Sequence, residues 1–295
     1  MLISNNEFVE KNSKTGTILV RGTKIAEEII DKLKKQPKPK KFLAAFLIGN
    51  DSASISFLAQ KEKVAKELGV DFRLYRYPPD IKQDPLRKEI LKIISHKNCG
   101  GAIVQLPLPE HINKHYILNV IPREKDVDVL GERALGAFYA GRNSVLPPAV
   151  DVVQEIIRNL EFEIRNYRVA VVGLGFLVGK PITNWLMGKA KEIYLLDEGF
   201  NMLILKEAGL VISGVGKANL FSAENLKENA LVIDFGFSKQ IVNGKEQIVG
   251  DFNLEALNPS GYTLTYTPTP GGTGPILVAK LFENFYKLNP LTPLS

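Results

Sequence analysis

The sequence predicts an α/β protein made of two successive units, each a parallel sheet whose strands alternate with helices. Two observations carry that expectation. Short apolar runs recur with helix-length segments between them, and the second series opens with a strand that runs straight into a glycine-rich turn. In the first series FLAAFLI (42–48), FRLYRY (72–77) and GAIVQ (101–105) read as strands, with 52–68 and 84–95 as the helices that separate them. The second series is YRVAVVG (167–173), EIYLLD (192–197), LVISGVG (210–216) and ALVIDFG (230–236). SVLPPAVDVV (144–153) marks the join, because two prolines there precede an amphipathic helix. In QIVNGKEQIV, Asn243 and Gly244 between short apolar runs have the composition of a tight hairpin. A last helix, from Pro275 to about Leu288, is expected to pack back on the first unit. The expected domains are therefore 1–147, completed by 275–295, and a Rossmann-type domain over 148–274.

Composition bounds the function. A chain of 295 residues can bury two cores, and 45% hydrophobic with 24% charged residues is the balance of a globular protein. No apolar run approaches the roughly 20 residues that span a bilayer, and MLISNNEFVEKNSK is too polar for a signal peptide, so no membrane partner and a cytoplasmic location are expected. The lone Cys99 excludes an intramolecular disulfide and a multi-cysteine metal site. His111 and His115 have a chelating spacing but no third ligand in the sequence, and no metal is expected. The net charge of +6 suits an anionic small molecule such as a dinucleotide or polycarboxylate, and it lacks the clustering that nucleic-acid binding requires. KLKKQPKPKK (32–41) reads as a solvated helix end and loop.

The turn GLGFLVGKP places Gly173, Gly175 and Gly179 as GxGxxxG after an apolar strand and at the opening of a helix. Glycines there let the backbone approach a pyrophosphate, and the unpaired amides of the following helix point at that anion. With Asp197 at the end of the next strand, the pattern reads as a dinucleotide site; the structural alternative is a plain strand-to-helix turn with Asp197 as a cap. Asp197 and Glu198 can accept from a free ribose 2′-hydroxyl and repel a 2′-phosphate, which favours NAD over NADP.

Three polar residues interrupt apolar sequence. On a helical wheel Lys61 lies within about 60° of Phe57, Leu58, Val64, Ala65 and Leu68, while Glu62, Lys63, Lys66 and Glu67 fall off that stripe. An ammonium held among apolar groups loses hydration and becomes able to exchange protons near neutral pH. The alternative is a lysine whose stem lies on the core while its head reaches water. Gln105 ends the strand AIVQ before the stiff LPLP, at the carboxyl edge where ligands of α/β folds collect, and Asp128 stands between two valines in KDVDV. Each alone reads as a turn or capping residue.

The strings GNDSASISFLAQKEK, VQLPLP, KDVD, VVGLGFLVGKP, VIDFG, VGD and TPTPGGTGP occur in the order and near the spacing of the bifunctional methylenetetrahydrofolate dehydrogenase/cyclohydrolase family. The resemblance covers Gly22 to Asn284, nearly the whole chain. It implies a catalytic α/β domain completed by the C-terminal helix, a Rossmann domain, a cleft between them, and a homodimer. It implies oxidation of 5,10-methylenetetrahydrofolate with NAD or NADP, then hydrolysis to 10-formyltetrahydrofolate. Lys61 would be the general acid/base, Gln105 would orient and tune it, and Asp128 would hold the pterin. Phe57, Val104, Leu106 and the loop Pro270, Gly271, Gly272, Thr273 and Gly274 would contact the folate. Gly173, Leu174, Gly175, Asp197, Glu198 and Phe237 would contact the cofactor.

Several positions depart from the family pattern. Phe57 stands where a stacking tyrosine is usual, keeping the ring face and losing the hydroxyl. Leu174 and Gly175 replace arginine or alanine and serine, and Asp197 and Glu198 replace a mostly His plus Arg or Ser pair, so the usual NADP contacts are missing. LPPA (146–149) lacks a threonine, and Leu277 replaces another. Two alternatives follow: a dehydrogenase with impaired cyclohydrolase activity, and a non-catalytic folate- or dinucleotide-binding homologue.

Overall fold

A computed structural model describes residues 6–13, 16–242, 245–254 and 263–291. Strands β1 (Val9–Lys11) and β2 (Ile18–Val20) lead into helix α1 (Gly22–Lys34). There follow β3 (Phe42–Ile48), α2 (Ser52–Leu68), β4 (Phe72–Tyr77), α3 (Gln83–Ile94), β5 (Cys99–Val104), α4 (Lys114–Leu118), α5 (Glu132–Tyr139) and α6 (Pro148–Asn159). The chain continues through β6 (Arg168–Val172), α7 (Gly179–Leu186), β7 (Glu192–Leu196), β8 (Leu210–Ser213), β9 (Leu231–Asp234), β10 (Ser238–Val242), β11 (Lys245–Val249), β12 (Thr265–Tyr266) and α8 (Thr273–Leu288). Two compact units result: Glu27–Pro148 with the chain from Val278 on, and the chain up to Ala26 with Ala149–Leu277. No helix among the described residues is long and apolar enough to cross a membrane.

The Glu27–Pro148 unit is built on a three-stranded parallel sheet in the order β4-β3-β5. All seven residues of the central β3 are buried, as a strand covered on both faces must be, which is why it reads as an unbroken apolar run. Helix α2 starts at Asp51, whose carboxylate accepts from the Ser54 N–H at 2.7 Å, and stops at Gly69 with φ 64°. Those are an acceptor for an otherwise unpaired first-turn amide and a left-handed exit that glycine takes without strain. Helix α8 lies on β5. A Cβ at Gly101 would stand 2.9 Å from both the Phe285 ring and Val127, so only glycine lets helix and strand come this close.

The Ala149–Leu277 unit carries a seven-stranded sheet in the order β1-β2-β12-β9-β8-β6-β7. Every pairing from β2 to β7 is parallel, and only β1 runs antiparallel. From β6 onward the chain first steps to β7 on one side and then to β8 on the other. The strand order therefore reverses at β6, the position at which ligands of open α/β sheets collect outside the strands' carboxyl ends.

One expectation differs from this arrangement. The first 26 residues were placed with the first domain, yet β2 pairs with β12 and joins the second unit's sheet. A three-residue strand recruited by a partner 247 residues away leaves no periodic signal (Leu19↔Tyr266). The Lys-rich segment 32–41 is, as expected, a helix end and loop: α1 runs from Gly22 to Lys34 and the residues after it are not helical. The turn residues Asn243 and Gly244 lie outside the described residues, while β10 and β11 on either side pair antiparallel.

Candidate active site

Lys61 occupies the middle of the buried stripe of α2, formed by Ser54, Leu58, Lys61, Ala65 and Leu68, and is 3% exposed. The snorkelling alternative therefore does not describe it. Its Nζ donates to Gln105 Oε1 at 3.1 Å. Gln105 follows β5, where its backbone N–H donates to Phe46 O and prolongs the sheet ladder by one bond. Its Nε2 donates to Leu106 O at 2.9 Å, so the carboxamide is tied at its N–H₂ end and presents its oxygen to the amine. An ammonium has donors only, which makes this the one amide orientation the pair accepts. One turn earlier on α2, the Phe57 ring centroid lies 4.9 Å from Nζ, within cation–π range.

Burial lowers the Lys61 pKa from 10.5, and the Asp128 charge raises it part of the way back. The half-buried Asp128 mirrors this: lost hydration raises its pKa and the Lys61 charge lowers it. Each group partly supports the charged form of the other, and desolvation is the larger effect on both. The structure thus brings Lys61, Gln105, Phe57 and Asp128 into one neighbourhood. Val104 is 2% exposed with its side chain in the core, and Leu106, half-buried, precedes Pro107 through a cis peptide bond. One group in this neighbourhood was not anticipated. Asp126, 1% exposed, accepts from Leu130 N at 3.0 Å and Gly131 N at 2.8 Å, and burial pushes its carboxyl up to about 7. It stands two residues before Asp128 in the same KDVD string, between Lys125 and Val127, where nothing in the local sequence marks it as buried.

In the other unit, the glycine turn needs its glycines for close approach. Gly173 follows β6 with φ +84°, and a Cβ at Gly179 would lie 2.0 Å from the Gly173 carbonyl oxygen. A Cβ at Gly214, after β8, would meet Val178 at 2.7 Å, so the turns after β6 and β8 are in contact. Gly175 has open space around it, and Leu174 is half-buried. Asp197 and Glu198 are exposed in the turn after β7, and Phe237, 47% exposed, follows β9. All six expected cofactor residues therefore stand at the carboxyl ends of β6, β7 and β9.

Two buried carboxylates, also unanticipated, shape those loops. Asp251, 0% exposed, accepts from Ser213 Oγ at 2.6 Å, Val215 N at 2.8 Å and Lys217 N at 2.8 Å, which fixes the loop after β8. Asp234, at the end of β9, accepts from Gly236 N at 2.6 Å and Phe252 N at 2.9 Å. The loop Pro270–Gly274 belongs to the same unit. Its Gly271 has φ +98°, and its Gly272 lies so close to Gly22 that a Cβ there would be 1.9 Å from the Gly272 carbonyl oxygen. The Thr273 hydroxyl donates to Asp234 O at 2.8 Å, and Pro270 and Gly274 are at least partly exposed.

Residues 20–128 match the catalytic domain of tetrahydrofolate dehydrogenase/cyclohydrolase, and residues 147–290 match the NAD(P)-binding domain of the same enzymes. The chain belongs to the tetrahydrofolate dehydrogenase/cyclohydrolase family. The bifunctional protein FolD of Mycoplasmopsis synoviae is 32% identical over 280 residues, an overlap of 92% of this chain and 99% of that protein. Among solved structures, the dehydrogenase-cyclohydrolase of Trypanosoma brucei, complexed with NADP and an inhibitor, superposes with a TM-score of 0.85 at 25% identity, covering 92% of this chain and 97% of that one. The bifunctional enzyme of Campylobacter jejuni gives a TM-score of 0.84 at 28% identity, covering 91% and 97%.

The Asp234 environment has a measurable consequence. Burial, reinforced by the Asp251 charge, raises its carboxyl from 3.8 to about 7 despite the two amide donors. Folding thus favours the protonated acid, and the folded unit holds more protons than the unfolded chain between about pH 4 and 7. The stability contributed by this group is present at low pH and is lost as pH rises through 7, at no more than about 1.4 kcal/mol per pH unit. Asp234→Asn removes that slope. The melting-temperature gap between wild type and variant is expected to narrow from acid to neutral pH, and a constant gap contradicts the assignment.

Proposed function

We propose that the chain oxidises 5,10-methylenetetrahydrofolate to 5,10-methenyltetrahydrofolate with NAD(P)+ and hydrolyses that product to 10-formyltetrahydrofolate, serving one-carbon folate metabolism. The observation that carries the proposal is the Lys61 amine, buried and held by Gln105 in a chain of this family. The first step asks the chain for positioning more than for side-chain chemistry. Gly173 and Gly179 tighten the turn after β6, and the open space at Gly175 leaves room for a phosphate-bearing group against the backbone. When bound, the nicotinamide supplies the acceptor for the hydride that leaves the methylene carbon.

Hydrolysis requires proton movement. Water adding to the methenyl carbon loses a proton, a ring nitrogen gains one as its bond to that carbon breaks, and the hydroxyl gives up its remaining proton to solvent as the formyl C=O forms, so that the cation is converted to a neutral formyl group with one proton released. Lys61 as a neutral amine takes the first proton, and as an ammonium it delivers the second. The lowered pKa supports this role, since both forms must be reachable near neutrality. Gln105 holds the amine, Asp128 supports its charged form and binds the pterin, and Phe57 stacks on the substrate. Leu106 and Pro270–Gly274 complete the substrate contacts, while Val104, its side chain in the core, does not reach the substrate; Leu174, Asp197, Glu198 and Phe237 complete those to the cofactor. The reading includes a cytoplasmic homodimer.

A second reading is a dehydrogenase whose cyclohydrolase step is slow. It is favoured by the phenyl ring 4.9 Å from Nζ, where no hydroxyl can relay a proton.

Lys61→Met is expected to slow methenyl hydrolysis by about 10²–10⁴-fold, the usual worth of a general acid/base. Phe57→Tyr is expected to accelerate it. Following reduced nicotinamide and methenyl product together checks both, and unchanged hydrolysis in Lys61→Met removes that residue from the mechanism. A side-by-side titration checks cofactor preference. Asp197 and Glu198, exposed together after β7, should make NAD bind about tenfold more tightly than NADP, equivalent to about 1.4 kcal/mol. Tighter NADP binding overturns that preference.

A further inference from the structure

Asn284 on α8 is 0% exposed, and its Nδ2 donates to Val127 O at 2.9 Å and to Leu146 O at 2.8 Å. Its Oδ1 is buried and finds no donor among the described residues. Both neighbours are carbonyl acceptors, so the amide stands in only one orientation. A leucine would fill a similar volume with no idle acceptor, and an idle buried acceptor is a cost. Packing therefore does not account for an amide here, and its two N–H groups do. One of them grips the residue immediately before Asp128.

The same turn has a second hold. Asp126 bridges to Ala102 of β5, and its carboxylate accepts from Leu130 N and Gly131 N on the far side of Asp128. Between the two holds, Val129 is fully buried with φ +56°. A β-branched residue in the left-handed region is strained, and such states persist only where the surroundings over-determine them. Without its holds this turn would relax and carry the Asp128 carboxylate elsewhere.

We propose that Asn284, acting with Asp126, is a positioning residue: it holds the Val127–Val129 turn and so fixes where the Asp128 carboxylate stands relative to the Lys61 amine. The proposal rests on the reading of Lys61 as the group that moves protons. Among the described residues the charge that acts on Asp128 is Lys61 from α2, and Asp128 in turn raises the pKa of Asp126 in its own loop. Loosening the turn lets Asp128 regain water and withdraws its support from the Lys61 ammonium. The proton affinity of Lys61 then falls, as it does when the carboxylate is removed outright.

The test is the pH profile of methenyl hydrolysis by the full chain, measured for wild type, Asn284→Ala, Asp128→Asn and the double variant. Both single variants are expected to move the Lys61 limb to lower pH, with Asn284→Ala giving up to the full Asp128→Asn shift. The double variant is expected to shift no further than Asp128→Asn, because the two substitutions act through one carboxylate. Asn284→Ser keeps one donor and should give a smaller shift in the same direction, and it replaces the alanine variant if that one fails to fold. The inference is overturned if the Asn284 variants lower the melting temperature but leave the limb in place, or if their shift persists undiminished in the Asp128→Asn background. If Asp128→Asn itself leaves the limb unmoved, the coupling of Asp128 to Lys61 fails, and the inference falls with the proposed mechanism rather than alone.

Discussion

Keeping one ammonium group out of water is the constraint on which the Lys61 neighbourhood depends. A lone buried cation is costly enough that it normally gives up its proton, and breaking a buried charge pair by removing one partner is strongly destabilising. Lys61 occupies a position on α2 where its neighbours along the stripe are Leu58 and Ala65. Two groups offset the loss of hydration in different ways. The Gln105 carboxamide supplies an acceptor with no charge of its own, held by its bond to Leu106 O, and Asp128 supplies opposite charge. An acceptor without charge favours the ammonium only modestly, and a nearby carboxylate favours it more. Together they counter part of what burial takes from the ammonium, and its pKa remains below the ordinary value.

The other unit solves a related problem with the signs reversed. The turns after β8 and β9 carry backbone N–H groups that no strand pairs, and the carboxylates of Asp251 and Asp234 satisfy them. Burying these acids is unfavourable, and it is tolerated because each meets several donors at once. The result is that Gly173, Gly214 and Gly216, on neighbouring strand-to-loop turns, sit on a fixed framework rather than on free loops. Ser238 adds to it by donating to Gly216 O at 2.8 Å, which ties the segment after β9 to the loop after β8.

What could be read from the sequence followed from local spacing. The strands at 42–48 and 72–77 and the helix at 52–68 stand at the residues where apolar runs and helical periodicity put them, and the wheel that singled out Lys61 describes its burial. Gln105 was marked by its place at a strand end. The residues that escaped detection are those whose meaning lies in a distant partner. Ser213 and Asp251 are 38 residues apart, and Asn284 and Val127 are 157 apart; no pattern within a helix or strand announces either pair. Strands β1 and β2 escaped for the same reason, being too short to show a period and ordered by β12 from the other end of the chain.

Direct titration of the Lys61 side-chain nitrogen by NMR, in the full chain labelled at lysine, addresses the burial of that amine without passing through activity. A midpoint below the ordinary 10.5, falling further in Asp128→Asn, is the expected result. A midpoint at or above 10.5, unmoved by removing Asp128, would mean an amine in contact with water and would contradict the reading on which the chemistry rests.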